Sequence, residues 1–170
     1  MKPWMALVGF KLCWLGLILS PELAGVPVLL YWLWAGFRLH HSARVAVLLI
    51  TAVGAAQDFT LVQAGVFSFS DSWGVPWWML LLWGCFALVM VQVMARLLKF
   101  WWLGALMGAI AGPMAYWGGA TLGGRLGYAD LPTMLLVLVP LWALLVGALV
   151  ALRFLWSAAD EQINSGMSVG

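Results

Sequence analysis

Charge is what this chain has least of. Only 8% of its 170 residues are charged, against roughly 25% in an ordinary soluble domain. A water-soluble fold is excluded from the other side as well, because 65% of the residues are hydrophobic, with thirteen Trp and eight Phe. A domain of this length leaves a large share of its side chains at the surface, where that load would drive aggregation. The solvent for most of the chain is therefore lipid. Histidine and cysteine are nearly absent too, with two of each. His40 and His41 are adjacent, with no further His, Cys or carboxylate close by, which falls short of a zinc or iron site. Cys13 and Cys85 each lie inside an apolar run and read as small buried hydrophobes rather than a disulfide or metal pair. The net charge of +2 is spread along the chain and makes no patch for nucleic acid. There is no glycine-rich phosphate loop, His-Glu-x-x-His, Gly-x-Ser-x-Gly or Cys-x-x-Cys, so no cofactor or metal is expected and the balance leans away from an enzyme.

Six apolar stretches are present, each near the ~17 to 25 residues that a helix needs to cross hydrocarbon. They run Trp4 to Ser20, Leu23 to Leu39, Arg44 to Val66, Val75 to Ala95, Phe100 to Gly124 and Leu131 to Trp156. Turn-forming or charged residues separate them at Ser20-Pro21-Glu22, Arg38 through Arg44, Ser68 through Gly74, Arg96 through Lys99 and Arg125 through Pro132. Backbone in lipid must satisfy its own hydrogen bonds, and these continuous runs lack the apolar/polar alternation of barrel strands, so the spans are helices. The first is not a cleavable signal: Lys11 interrupts its apolar centre, and Glu22 stands where a small residue is needed.

With six spans, Lys2, Arg38, Arg44, Arg96, Lys99 and Arg153 fall on one side and Arg125 alone on the other. The positive-inside rule then makes both termini cytoplasmic. Five or seven spans would scatter the basic residues over both faces. The expected architecture is an all-α bundle of about six transmembrane helices over residues 1–156, followed by a mobile polar cytoplasmic tail over 157–170.

Asp58, flanked by Gln57 and followed by Gln63, is the outstanding ionisable group, just past the centre of the third span. A carboxylate at that depth costs about 2.5–3.5 kcal/mol, so it must face the bundle interior with a partner or a proton. Two readings stand side by side: a functional group, or a structural pair that fixes helix register. Lys11, placed toward the cytoplasmic end of the first span, is the possible partner; alternatively it snorkels to the headgroups. In the fifth span Gly104, Gly108 and Gly112 recur every four residues, and Ala115, Gly119, Gly123 and Gly127 extend the stripe. Small residues so spaced let helices approach closely. Pro113 within the stripe makes either a hinge beside a cavity or a kink in a tightly packed central helix. Arg38, His40, His41 and Arg44 read as contacts for lipid headgroups, as does Arg125, which otherwise forms a surface ion pair with Asp130 beside Tyr128. Trp73, Trp77, Trp78, Trp101, Trp102 and Trp156 mark interfaces; Trp14, Trp32, Trp34 and Trp83 line packing surfaces or a lipid groove.

The block Gly104-Ala-Leu-Met-Gly-Ala-Ile-Ala-Gly-Pro-Met-Ala-Tyr-Trp-Gly-Gly-Ala-Thr-Leu-Gly-Gly, preceded by an aromatic fourth span and by Gln57-Asp58, resembles a family of small bacterial inner-membrane proteins catalogued as a domain of unknown function. The resemblance covers about Phe10 to Leu155 and is specific in the Gly-Pro-x-x-Tyr region. It implies a polytopic inner-membrane protein without an established activity, serving as an accessory in a lipid-linked process. The expected partners are membrane lipids and either a membrane protein or a second copy of the chain. A small transporter or lipid-handling protein with a protonatable Asp58 is the alternative.

Overall fold

A computed structural model describes residues 3–70, 72–94 and 98–153. The tail at 157–170, Trp156 and the charged residues Lys2 and Arg96 used above lie outside the described residues. Six long helices carry the fold. Helix α1 (Pro3–Leu19) meets α2 (Pro21–Phe37) across the single residue Ser20. Pro21 suits the first turn because the N–H it lacks would have no partner there, and Glu22 adds a favourable charge at the helix's positive end. After α3 (His41–Gln63), α4 (Trp77–Val89) starts on the extended Pro76 and widens into a π-helical turn over Met90–Met94. Helix α5 (Trp101–Gly123) runs unbroken through Pro113 and stops at Gly124, whose φ of 66° is a left-handed cap. Helix α6 (Leu131–Ala151) is capped by Asp130, which accepts from the Thr133 N–H at 2.8 Å and from its hydroxyl at 2.8 Å. These bonds hold the Asp130 carboxyl below its ordinary value, so the cap is lost only as pH falls through that lowered range.

Two short strands appear where sequence reading found only loops. Strand β1 (Phe67–Phe69) pairs antiparallel with β2 (Leu126–Tyr128), Ser68 opposite Gly127. This ladder joins the loop after α3 to the loop after α5. Arg125 reaches Glu22 at 3.0 Å and so ties in the α1–α2 joint. The expected Arg125–Asp130 pairing does not form, because Asp130 is committed to the cap. At the other end Arg153 donates to the Lys99 carbonyl at 3.1 Å. The ends of α1, α3 and α5 thus share one face of the bundle, and successive helices alternate in direction.

The reading of the fifth span as a central helix is corrected: α4 is central. Its Trp78, Met79, Trp83, Cys85, Ala87 and Leu88 are all buried, and it touches α1, α2 and α3. Helix α5 instead forms a tight hairpin with α6. A Cβ at Gly104 would lie 2.7 Å from Val150, and Cβ atoms at Gly108 and Gly112 would collide with the Trp142 carbonyl and ring. Gly119 and Gly123 face Ile18 of α1.

The polarity is turned inside out. Leu23 is 79% exposed, Leu136 78% and Phe37 74%, while Asp58 is fully buried. Helices α3 and α6 are long and apolar enough to cross a membrane, yet in each only 33% of the most apolar stretch is buried. Core helices of a soluble protein are mostly buried. The shorter α1, α2 and α4 and the glycine-diluted α5 are not, taken singly, long and apolar enough to cross a membrane.

Gly108→Leu should push the α5–α6 hairpin apart, with a cost of about 1–3 kcal/mol or more for overpacking. Thermal unfolding in detergent should show a lower midpoint than for Gly36→Ala, where a Cβ meets nothing within 4 Å.

Candidate functional site

The site is built from glycine–polar pairs one helical turn apart. On α3, Gly54 and Asp58 share a face; a Cβ at Gly54 would collide with the Trp83 ring. Resting there, the indole donates its N–H to Asp58 Oδ2 at 2.7 Å. On α5, Gly112 and Tyr116 repeat the device: Gly112 receives the Trp142 ring, and the Tyr116 hydroxyl donates to Asp58 Oδ1 at 2.5 Å. Each carboxyl oxygen therefore has one neutral donor. Trp83 stacks on Trp142 with centroids 5.3 Å apart, and Tyr116 stacks on Phe67 at 4.9 Å. The three-way bond links α3, α4 and α5, which a register pin requires.

Lys11 is not the partner of Asp58. It lies halfway along α1, not toward its end, and is exposed, with its ammonium 5.4 Å from the Trp14 ring centroid in a cation–π contact. Of the other polar residues singled out on α3, Gln63 is exposed at the helix end, and Gln57 turns to a gap between α3 and α6 with its amide nitrogen unpartnered. They form no cluster with Asp58.

Because large aromatics separate the α5–α6 hairpin from α4, and α5 meets α1 closely at Ile18 near one end, a cleft remains along that side. Two adjoining hollows compose it, with empty volumes of about 450 and 1000 Å³. Phe10, Trp14, Phe86, Ala115 and Trp142 line both, Trp83 and Tyr116 form the inner wall, and Lys11 stands at the wider part. The wall is almost wholly apolar. One polar group on it is unmatched: the buried Trp142 indole N–H has no hydrogen-bond partner. Cys13 on α1 is half-buried and Cys85 on α4 is buried, both as free thiols.

At the end opposite the strands, Arg38 lies 4.5 Å above the Trp34 ring. Arg44 donates through Nε to the Leu39 carbonyl at 2.8 Å. His40 precedes α3 and His41 opens it. Arg125 is separated from these four by the length of the bundle. Trp83, Tyr116 and Trp142 are the residues that sequence reasoning missed as a site. The Gly54–Asp58 and Gly112–Tyr116 spacings were the available signal. No group of three or more metal-binding side chains occurs among the described residues.

Asp58→Ala leaves two buried donors without an acceptor, at about 1–3 kcal/mol each. Unfolding titrations in detergent should show a large loss, with a smaller one for Asp58→Asn, whose carbonyl still accepts one bond, and for Tyr116→Phe. Wild-type stability in Asp58→Ala would refute the pinning role.

No curated protein and no solved structure matches the chain. A family described as Protein of unknown function (DUF2878) matches residues 3–148, from the start of α1 into the last turns of α6. The match takes in Gly54, Asp58, Trp83, the Gly112-Pro113-x-x-Tyr116 segment and Trp142, and on it the chain belongs to that family of unknown function.

Proposed function

We propose that this is a multi-pass protein of the bacterial inner membrane, with both termini cytoplasmic, that holds a phosphate-bearing lipid in the cleft beside α1 and acts as a non-enzymatic accessory in a lipid-linked process. The observation that carries the reading is the cleft itself. Its walls suit a hydrocarbon chain, and Lys11, a mid-depth ammonium with no carboxylate partner, calls for an anion. The orphan Trp142 N–H suits an ester or phosphoryl oxygen. The membrane setting is supported by the exposed apolar faces and by the two long apolar helices. Its orientation is supported by Arg38, Arg44, Lys99 and Arg153, which share the end opposite Arg125.

The transporter alternative needs water or protons to reach Asp58. That side chain is fully buried with both oxygens bonded, and the cleft stops at its partners Trp83 and Tyr116, so a register pin fits better than a proton carrier.

Photolabelling in liposomes tests the reading, using diazirine-tailed phosphatidic acid against a diazirine-tailed diacylglycerol. Labels should concentrate on Phe10 and Met107, and Ala115→Trp, checked for unchanged helicity, should abolish them. Lys11→Gln should reduce the preference for phosphatidic acid about fivefold, equivalent to roughly 1 kcal/mol. Equal labelling of the outward Leu136 and Leu144 would defeat the proposal.

A further inference from the structure

A second apolar groove lies on the other side of the bundle. Helices α2 and α3 are joined by a short turn yet barely touch, and an apolar groove opens between them. Leu33, Gly36, Phe37 and Leu48 form its wall, and Arg44 stands among its lining residues. Two features distinguish it from an ordinary gap between helices.

The first is charge. Arg44 lines the groove and Arg38 caps α2 at the same end, with Lys99 and Arg153 on the same face of the bundle. Among the described residues no carboxylate lies at that end: Glu22 and Asp130 are at the opposite one, and Asp58 is enclosed in the core. The second is the way Arg44 is held. Its Nε is bonded to the Leu39 carbonyl, which fixes the guanidinium plane. Among the described residues its two terminal nitrogens have no partner, which leaves them ready for a two-pronged contact with a phosphate. Beside it, Arg38 rests on Trp34, so its cation is also placed without a carboxylate.

We infer that this groove binds one anionic phospholipid, its phosphate on Arg44 and Arg38 and one acyl chain along Leu33, Gly36, Phe37 and Leu48. The site is independent of the α1 cleft and requires only that the bundle sit in a bilayer. Gly36 gives an unusually clean probe, because a Cβ there meets nothing within 4 Å. A larger side chain fits the fold and occupies the chain's place without altering any charge.

Native mass spectrometry of the full chain in detergent tests this, with phosphatidylglycerol and phosphatidylcholine added separately. With the α1 cleft blocked by Ala115→Trp in every sample, the chain should retain one phosphatidylglycerol in preference to phosphatidylcholine, and 50-fold excess inorganic phosphate should not displace it. Arg44→Gln should weaken retention roughly tenfold, as the loss of a charge-assisted contact predicts. Gly36→Leu should weaken it comparably with both arginines intact. Arg125→Gln, at the opposite end, and Lys11→Gln, in the cleft, should retain it as wild type does, so failure here and failure of the cleft reading are separable. Equal retention of both lipids, displacement by free phosphate, or full retention in Arg44→Gln or Gly36→Leu would each overturn the inference.

Discussion

Everything in this fold follows from the outward direction of its apolar side chains. In the hydrocarbon surrounding proposed above, a leucine gains nothing by leaving its neighbours for another leucine, so close contact and buried hydrogen bonds would hold the helices rather than the hydrophobic effect. The α5–α6 hairpin uses the first means: glycines let the backbone of one helix meet the side chains and carbonyl of the other. Asp58 uses the second, drawing Trp83 and Tyr116 to its two oxygens and fixing three helices in register.

These two solutions produce the cleft between them. Glycine packing pulls α5 and α6 together, while the stacked Trp83 and Trp142, with Phe86 edge-on to both, keep that hairpin at a distance from α4. The hollow is a consequence of bulky side chains meeting where small ones do not, and the same aromatics that create it supply its apolar wall. At one end of the bundle the β1–β2 ladder and the Glu22–Arg125 pair bind three loops together. The opposite end has the Arg153–Lys99 contact and the basic groove, where α2 and α3 stand apart.

The helices were readable in the sequence because apolar length is a local property. The six stretches agree with the six helices to within a few residues at most ends, and Asp58 was identifiable as buried from its cost alone. What was not readable depends on distant pairings. Lys11 was the obvious electrostatic partner for Asp58, but two neutral donors from α4 and α5 satisfy a carboxylate without burying a second charge. The glycine stripe suggested a central α5; a stripe shows that a helix can be approached closely, not how many neighbours approach it. The strands escaped notice because three residues paired across the chain leave no periodicity, and Arg125 found Glu22 rather than nearby Asp130 because Asp130 serves as a cap.

Labelling with a carbene-generating hydrophobic reagent in native membranes, read residue by residue, bears most directly on the inside-out arrangement. Leu23, Phe37, Leu136 and Leu144 should be modified, with Met134, Leu138 and Val150, on the buried face of α6, protected. Modification of those four by a water-borne hydroxyl radical, with no reaction toward the membrane reagent, would contradict a hydrocarbon surrounding.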